Sequence, residues 1–334
     1  MQDFIVAVDI GGSKILGAVL DRSGQILLRR REATAAIGKP DVVVGQVAGM
    51  ITEMKNEMGL QEDDILGIGV GVPGPLDFRT GVVEGSPNLK WEKYPLREKL
   101  RSRLGSHLWL DKDTNAAVLG EYYYGLTPLC GHLIYVTVSS GVGGGIITDG
   151  QLLHGINGGG GEIGHMVVAP EGDICGCGRR GCLEVMASGW AVTREANALI
   201  ARGSGNGILS HVRPGQAVGP REVGMAARQG DSVSLQLIER TGSYLGMAIA
   251  NLVNIFNPAK IVLGGGMALG LQDLLLPIIQ KKVSSNVFTL HRRDLYIEMT
   301  RLGEDIVLAG CAAMVLQETS TVNECNRKGF SDDD

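Results

Sequence analysis

The chain has 334 residues, which at about 150 residues per domain predicts two domains and a sizeable buried core. Apolar residues make up 44% and charged residues 20%, a composition that argues against global disorder. The 31 basic and 36 acidic residues give a net charge of -5, which provides no electrostatic reason to expect nucleic acid as a partner. The 50 glycines are roughly twice the usual share of about 7% and predict several loops where the backbone approaches another group closely.

The N-terminal segment carries Asp3 and Asp9 and lacks a basic region, which is not the pattern of a signal peptide. The stretch 122–148 has no Asp, Glu, Lys or Arg, but it contains Pro128 and many glycines, which favours strand-turn-strand over a membrane span. Six cysteines without a secretory signal argue against a disulfide framework. We therefore expect a cytoplasmic protein with no membrane segment.

Short apolar strands separated by turns are predicted in the first third of the chain, with one long helix among them. The predicted elements there are strands over Phe4–Ile10, Ile15–Leu20, Gln25–Leu28, Ile65–Val72 and Leu108–Leu110, and helices over Asp41–Met58 and Asn115–Tyr124. The second half is more helical, with helices over Leu183–Arg202, Val233–Phe256 and Glu304–Gln317 and a strand over Ala259–Leu263.

A pattern of strand, glycine turn and returning strand occurs twice in the sequence. It first spans the N-terminal strand pair and then Leu133–Val138, Ser139–Gly145 and Ile146–Thr148. The repetition indicates an internal duplication with one glycine hairpin in each half. Two unrelated hairpins fit the spacing equally well.

The two glycine turns have the residue types that bind phosphate. In Asp9–Lys14, unhindered backbone N–H groups, a hydroxyl and an ammonium can face an anion, and Ser139–Gly145 offers the same from the other half. Each turn alone is more simply a tight hairpin. Together with Gly264–Gly266 after a strand, they favour a nucleotide cleft between two domains. Asp9 at a strand end can hold Mg²⁺ through water.

One imidazole and three thiols with metal-ligand spacing follow the second hairpin. Cys175, Cys177 and Cys182 form a C-x-C-x4-C pattern in a glycine-rich loop, and His165 precedes them by ten residues. Such a set fills the four positions of a tetrahedral structural zinc site and leaves none for water. Buried thiols or a redox pair are the less favoured alternatives.

Carboxylates beside these motifs can carry chemistry. Glu162 and Glu184 flank the predicted zinc site and can accept hydrogen bonds from sugar hydroxyls, although Glu184 also suits a helix N-terminus. Asp113 follows a strand at a predicted helix start, where it can be an N-cap or a general base at the cleft. The residues alone leave both alternatives open.

With these motifs assembled, the chain resembles the ROK family of repressors, open reading frames and sugar kinases, from Phe4 to about Leu316. The resemblance rests on Gly161–His165 with Cys175–Glu184, on Asp9–Lys14 and Ser140–Gly145 as phosphate motifs, and on Asn257–Gly266 as the adenosine-side segment. It implies an α/β protein with a duplicated actin-like, hexokinase-like (ribonuclease H-like) two-domain fold and an active-site cleft between the domains. We expect a small domain over 1–113, a larger domain over 114–303, a helix over about 304–317 that packs back on the small domain, and a polar tail over 318–334.

The resemblance further implies an ATP- and Mg²⁺-dependent kinase of carbohydrate metabolism that phosphorylates the 6-hydroxyl of a hexose. Asp113 would take the proton from this hydroxyl. The implied binding residues are Gly74, Asn88, Asp113, Glu162, His165 and Glu184 for the sugar, Asp9, Gly11, Gly12, Ser13, Lys14, Ser140, Gly141, Gly143, Gly265 and Gly266 for the nucleotide, and His165, Cys175, Cys177 and Cys182 for Zn²⁺. The segments Gly71–Pro75 and Ser86–Trp91 look more like the glucokinase members than the fructokinase members, so glucose and a role in glycolysis are expected.

Alternatives within the family stay open at this point. Repressor members carry an N-terminal DNA-binding region, and the first phosphate strand here begins at Phe4, which favours the kinase branch. Lys112 stands where the family usually has Asn, so a sugar-contacting amide is lost, and mannose, fructose, allose or an N-acetylhexosamine are alternative substrates. A sugar sensor without efficient transfer and polyphosphate as donor are further alternatives. A homodimer or a higher homo-oligomer is the family-based expectation.

Overall fold

The computed structural model describes residues 3–105, 107–125 and 131–328, and the chain divides into two compact units. The first unit comprises 1–129, 152–160 and 305–334, and the second unit comprises 130–151 and 161–304. The first unit continues past the boundary expected at residue 113, because the helix that begins there packs against the C-terminal helix. Segment 152–160 belongs to the first unit, although the chain on either side of it belongs to the second unit.

Strands of the described residues form two five-stranded sheets and one three-stranded sheet. The strands are β1 (Phe4–Ile10), β2 (Lys14–Asp21), β3 (Ile26–Ala33), β4 (Ile65–Val72), β5 (Leu76–Asp77), β6 (Val82–Ser86), β7 (Trp91–Tyr94), β8 (Leu108–Lys112), β9 (Leu133–Val138), β10 (Val142–Thr148), β11 (Gln151–Leu152), β12 (Lys260–Gly264) and β13 (Tyr296–Met299).

The helices pack on these sheets. They are α1 (Pro40–Met58), α2 (Leu96–Leu104), α3 (Asp113–Tyr124), α4 (Leu183–Ala187), α5 (Gly189–Ala201), α6 (Asn206–Leu209), α7 (Pro220–Arg228), α8 (Ser232–Phe256), α9 (Gly266–Gly270), α10 (Gln272–Asn286) and α11 (Ile306–Lys328). Among the residues that the structure describes, no helix combines the length and the apolar character needed to cross a lipid bilayer.

The two large sheets share one topology, which supports the duplication rather than two unrelated hairpins. Their strand orders are β3-β2-β1-β4-β8 and β11-β10-β9-β12-β13. In each sheet a central strand pairs antiparallel with the next strand of the chain and parallel with a later one: β1 pairs with β2 and β4, and β9 pairs with β10 and β12. Each glycine hairpin joins the antiparallel pair at the end of the central strand.

The largest differences from the predicted helices occur at two places. The predicted helix over Leu183–Arg202 is divided at Ser188, whose side-chain oxygen accepts a hydrogen bond from the N–H of Ala191 and so caps a new helix, α5. At the C-terminus, α11 continues as a helix through Lys328, past the end predicted at residue 317. The predicted polar tail over 318–334 therefore begins as helix, and residues 329–334 lie outside the described part of the chain.

Small residues let α3 and α11 pack at very short range on one face of the first sheet. A Cβ added at Gly310 would lie 1.6 Å from the carbonyl oxygen of Ala116, and one added at Gly120 would lie 2.5 Å from that of Ile306. Ala312 and Val315 of α11 are fully buried in the same apolar cluster. This packing holds the N-terminus of α3, and with it Asp113, at the end of the sheet.

We expect Gly310→Ala to lower the free energy of unfolding by about 2–3 kcal/mol, because the new methyl group has to displace helix backbone. Gly49→Ala is the matched control, since Gly49 is an exposed position in α1 with no atom within 4 Å of an added Cβ. This control should raise stability by up to about 1 kcal/mol through helix propensity. Urea denaturation of both variants checks the difference, and equal effects would contradict the proposed close packing.

Candidate active site

The first glycine turn, Gly11–Ser13, connects β1 to β2 and is closed by a 2.9 Å hydrogen bond from Gly11 N–H to the carbonyl of Lys14. The hydroxyl of Thr34, the residue directly after β3, donates to the Gly11 carbonyl at 2.7 Å and so holds the turn against the end of β3. A Cβ added at Gly12 would lie 2.8 Å from the Asn88 carbonyl oxygen, so the turn packs against the segment that carries Asn88. Two predicted binding segments of the first unit are thus in contact.

Asp9 lies half-buried near the end of β1, in the same strand that leads into this turn. Burial, with the negative charge of Asp113 as a second cause, raises the pKa of Asp9 to about 7, and the ammonium of Lys14 opposes this rise. A nearby cation would stabilise the ionised form of this carboxylate. The residue therefore suits the predicted Mg²⁺ role, with water between carboxylate and ion.

Asp113 is the first residue of α3, and Lys112 occupies the N-cap position without a side-chain capping hydrogen bond. The Oδ1 atom of Asp113 accepts a 2.7 Å hydrogen bond from the N–H of Thr114, its direct neighbour. The N-cap interpretation of Asp113 is therefore wrong, because the residue belongs to the helix itself. Asp9 pairs with Gly71 in the first sheet, and a Cβ added at Gly71 would lie 3.6 Å from the Cα of Asp113, so both residues lie beside Gly71.

A buried polar network lies immediately before Asp113, and its members were not singled out from the sequence as a group. Asp111 accepts hydrogen bonds through Oδ1 from the N–H of Lys112 at 2.7 Å and from Nδ2 of Asn115 at 2.8 Å. Its Oδ2 lies 2.6 Å from Nε2 of His154. The Lys112 ammonium donates to the carbonyl oxygen of Gly160 at 2.8 Å. The Asp-Lys-Asp run was the available signal, but His154 is 43 residues from Asp111 in the chain.

The second glycine turn is shorter than predicted, because β10 begins at Val142 and only Ser139–Gly141 turns. Gly143, predicted as a turn residue that binds phosphate, lies inside β10 and pairs with Thr137. The N-terminus of α5 holds this turn, because the N–H groups of Gly189 and Trp190 donate to the carbonyls of Ser139 and Ser140.

The triple glycine lies beside this turn in the second unit. Gly265 has a φ of 88°, and a Cβ there would lie 2.6 Å from both Thr137 Oγ1 and the Val138 carbonyl, so only glycine fits. A Cβ at Gly266 would lie 3.8 Å from the Ser139 hydroxyl oxygen. The turn predicted to bind phosphate and the segment predicted to lie on the adenosine side are therefore neighbours in the second unit.

Glu184 connects the loop of the cysteines to the second turn. Its Oε2 accepts a 3.1 Å hydrogen bond from the N–H of Val142, and a Cβ at Gly141 would lie 2.4 Å from the same oxygen. The carboxylate therefore contacts the second turn, and Glu184 also lies in the first turn of α4, as the helix-terminus alternative expects. Glu162 precedes a 3-10 turn over Ile163–His165, which packs against β10 because Gly164 approaches the Val142 carbonyl directly.

The four predicted metal ligands converge. One ligand atom from each of His165, Cys175, Cys177 and Cys182 lies within 4.8 Å of all the others. Nδ1 of His165 lies 3.8 Å from the sulfur of Cys175, and the sulfurs of Cys177 and Cys182 are 3.6 Å apart. Sulfur atoms at tetrahedral zinc are about 3.8 Å apart when each Zn–S bond is about 2.3 Å. The donor set and its spacing fit a structural Zn²⁺.

The thiols differ in how readily they ionise. Hydrogen bonds from Arg179, first from its backbone and then from its side chain, lower the pKa of the Cys177 thiol to about 6. Burial raises the pKa of Cys182 to about 12 and also raises that of Cys175. Two protons therefore have to leave when a metal binds, which makes metal affinity fall as the pH falls. Arg179 is a contributor that the spacing of cysteines alone did not reveal.

We expect Cys177→Ala to lose stoichiometric zinc and to melt several degrees below the wild-type protein, because a three-ligand site binds zinc weakly and the loop loses its cross-link. Zinc content by atomic emission and the melting temperature measure this. Cys311→Ala is the control: its buried thiol lies in the core of the first unit, so it loses packing energy but keeps its zinc. Normal zinc in Cys177→Ala would contradict the site.

The Asp9 shift predicts a pH dependence of stability in the absence of divalent cations. Between about pH 4 and pH 7 the folded chain keeps the Asp9 proton that the unfolded chain releases, so stability falls as the pH rises through this window. The unfolding free energy of Asp9→Asn should therefore exceed that of the wild-type protein by about 1–3 kcal/mol at pH 8. Near pH 4 the two proteins should be equally stable. Exposed Asp63→Asn is the control with no such difference, and a flat comparison for Asp9→Asn would contradict the shift.

Known proteins of one family are similar to this chain over nearly its whole length. The model of the ROK family matches residues 5–318. A glucokinase of Halalkalibacterium halodurans is 32% identical over 324 residues, which are 96% of this chain and 97% of that protein. A xylose repressor of Caldicellulosiruptor bescii is 34% identical over 254 residues, which are 76% of this chain and 63% of the repressor.

Among solved structures, a ROK family glucokinase from Streptomyces griseus, crystallised with glucose and AMPPNP, superposes with a TM-score of 0.80 at 29% identity. The alignment covers 94% of this chain and 99% of that one. It confirms the predicted α/β class, a duplicated actin-like and hexokinase-like fold. Because the family match includes both glycine turns and the Cys/His cluster, the chain belongs to the ROK family.

Proposed function

We propose that this protein is an ATP-dependent hexose kinase that transfers the γ-phosphoryl group of ATP to the 6-hydroxyl of a hexose, with glucose as the first substrate to test. The observation that carries the proposal is a grouping in the first unit: Asp9 and Asp113 both lie beside Gly71, and the glycine turn that follows Asp9 contacts Asn88. The whole-length similarity to glucokinases supports the same activity.

Asp113 is the proposed general base. Its carboxylate accepts the proton of the sugar 6-hydroxyl while this oxygen forms a bond to the γ-phosphorus and the bond from phosphorus to the β,γ-bridging oxygen of ATP breaks. ADP leaves with the electron pair of that bond, and the proton is later released to water. The hydrogen bond from the Thr114 N–H orients the carboxylate before the sugar arrives.

Phosphate charge is the main obstacle to this transfer, so positioned donors do most of the work. We propose that the first turn (Gly11, Gly12, Ser13 and Lys14) and the second (Ser140, Gly141 and, at the start of the strand, Gly143) hold the phosphates, with Gly265 and Gly266 on the adenosine side. Asp9 would hold Mg²⁺ through water. When bound, Mg²⁺ neutralises charge on the phosphate oxygens.

The sugar hydroxyls need fixed hydrogen-bond partners. We propose Gly74, Asn88 and Asp113 of the first unit and Glu162, His165 and Glu184 of the second unit for this role. Nδ1 of His165 faces the Cys175 sulfur, so Nε2 is the nitrogen proposed for the sugar. The Glu184 carboxylate is oriented by the Val142 N–H, which prepares it to accept from a hydroxyl.

Several finer properties are part of the same proposal. The Cys/His cluster would hold a structural Zn²⁺, and its reduced thiolates suit a cytoplasmic location, where cysteines stay reduced. Glucose phosphorylation would place the protein at the entry to glycolysis. A homodimer or higher homo-oligomer stays a prediction of the family resemblance, and light scattering of the purified protein checks it.

A sugar sensor without efficient transfer is the second candidate. The similarity to a xylose repressor at 34% identity favours it specifically, because the aligned residues are 76% of this chain. The two candidates differ in turnover and share sugar binding. An assay of ATP turnover therefore separates them.

The test is coupled ADP release with ATP and Mg²⁺ against glucose, mannose, fructose, allose, N-acetylglucosamine and N-acetylmannosamine, with polyphosphate as an alternative donor. We expect turnover with glucose. Asp113→Asn should lower kcat by about 100- to 10,000-fold while sugar binding and the melting temperature stay within error. Asp63→Asn on the exposed surface is the matched control and should keep wild-type kcat.

Sugar binding without turnover on any donor would overturn the kinase proposal in favour of the sensor. Wild-type kcat in Asp113→Asn would refute the assignment of the base and leave the kinase activity standing. Turnover with another hexose would correct the substrate only.

A further inference from the structure

The loop His154–Gly160 is a compact structure of its own within segment 152–160. Its two ends are tied together by a 2.8 Å hydrogen bond from Gly160 N–H to the His154 carbonyl. Gly155 and Gly158 have φ values of 71° and 80°, which only glycine adopts without strain. A Cβ at Gly160 would lie 2.3 Å from the Leu153 carbonyl oxygen. The loop therefore has one closely defined conformation.

This loop is docked on the first unit at two further points. The imidazole of His154 stacks on the ring of Phe78 with a centroid distance of 4.1 Å and an interplanar angle of 16°. A Cβ at Gly158 would lie 2.4 Å from the Leu76 carbonyl, so the loop backbone lies directly on β5. These contacts explain why segment 152–160 belongs to the first unit while its neighbours in the chain do not.

Lys112 attaches the end of the loop. Its side chain is buried, with only 3% of the residue exposed, and its ammonium donates to the Gly160 carbonyl at 2.8 Å. The aliphatic part packs on Gly74, where an added Cβ would lie 3.0 Å from Lys112 Cδ. A buried ammonium is tolerated only with acceptors and compensating charge. The Gly160 carbonyl supplies one acceptor.

Asp111 supplies negative charge to the same cluster and connects it to the loop. The carboxylate is buried and accepts hydrogen bonds from the Lys112 N–H, from Asn115 Nδ2 and from the His154 imidazole. Its three partners come from β8, from α3 and from the loop. The loop and the start of α3 are therefore joined by one buried polar network centred on Asp111. The proposed base, Asp113, is two residues further along the chain.

We propose that Lys112, together with Asp111 and His154, is a positioning residue that holds the loop His154–Gly160 on the first unit and so keeps Gly74 and Asp113 in place for the sugar. In this proposal Lys112 is a tether for the loop and does not select the sugar. The expected effect on catalysis rests on the proposed function. The attachment of the loop by Lys112 is independent of that function.

Lys112 is the residue that departs from the family resemblance, which has Asn at this position. An Asn side chain at position 112 would be two atoms shorter than lysine and would not reach the Gly160 carbonyl. A methyl group at position 160 would collide with the Leu153 carbonyl oxygen. The lysine and the glycine therefore belong to one local arrangement, and loss of the usual amide does not by itself indicate another sugar.

The experiment compares Lys112→Met, which keeps the aliphatic stem and removes the ammonium, with Lys112→Arg, which keeps charge and reach. Lys281→Met, an exposed lysine on α10, is the matched control. Hydrogen exchange of the 153–160 peptide, read by mass spectrometry, measures the tether. Steady-state kcat and KM for glucose and mannose measure the consequence.

We expect Lys112→Met to raise the exchange rate in 153–160 by at least about tenfold, because the loop opens locally without its tether. kcat/KM should fall by about 10- to 100-fold for both sugars by the same factor, since misplacement of binding groups weakens every substrate alike. Lys112→Arg should recover most of both losses, and Lys281→Met should match the wild type.

Unchanged exchange in Lys112→Met would overturn the tether. A change of more than about threefold in the glucose-to-mannose ratio would overturn the positioning role and make Lys112 a sugar contact. If Lys112→Met does not fold, His154→Phe tests the same network, because it keeps the ring stack and removes the bond to Asp111. A wild type without kinase activity would refute the proposed function alone, since the exchange result is independent of turnover.

Discussion

Contacts between backbone and backbone that tolerate no Cβ are the constraint on which the rest of this structure depends. Gly12 lies against the Asn88 carbonyl, Gly265 against the Val138 carbonyl, and Gly310 against the Ala116 carbonyl. The first two hold segments that we propose bind the nucleotide, and the third holds α3 so that Asp113 stands at the end of the sheet. The high glycine content thus has a mechanical reason, since each of these approaches requires a residue without a side chain.

The titratable groups near these contacts suit the binding of cations. In the first unit, burial and the neighbouring Asp113 make Asp9 costly to ionise until a cation compensates it. In the second unit, Arg179 stabilises one thiolate, while the other two cysteines keep their protons until a metal displaces them. Both units are therefore arranged for partners that carry charge, and both sets of groups are held by glycine-rich backbone. In the proposed function, binding of a cation in either unit would therefore be coupled to local stability.

Local patterns carried much of the prediction. Apolar runs and turns located the five strands of the first large sheet and β9, β10 and β12 of the second, but not β11 and β13. The C-x-C-x4-C run with His165 named four groups that the structure brings within 4.8 Å. Predictions were weaker where tertiary contacts compete with local preference. The hydroxyl of Ser188 divides one expected helix into two, and β10 begins inside the expected second turn. Short strands such as β5 have too few residues for a periodic signal, so the small sheet was not foreseen.

The sequence by itself determined the two glycine turns, the metal-ligand set, the duplication as one of two alternatives and the resemblance to the ROK family. These features depend on residues that are near one another in the chain, where spacing restricts geometry directly. Only the tertiary structure decided that Asp113 is not a helix cap, that Lys112 reaches Gly160, and that His154 bonds to Asp111 across 43 residues. Such contacts depend on how distant segments pack, because hydrogen bonds and steric fit act over a few ångströms in space and leave no periodic trace along the chain.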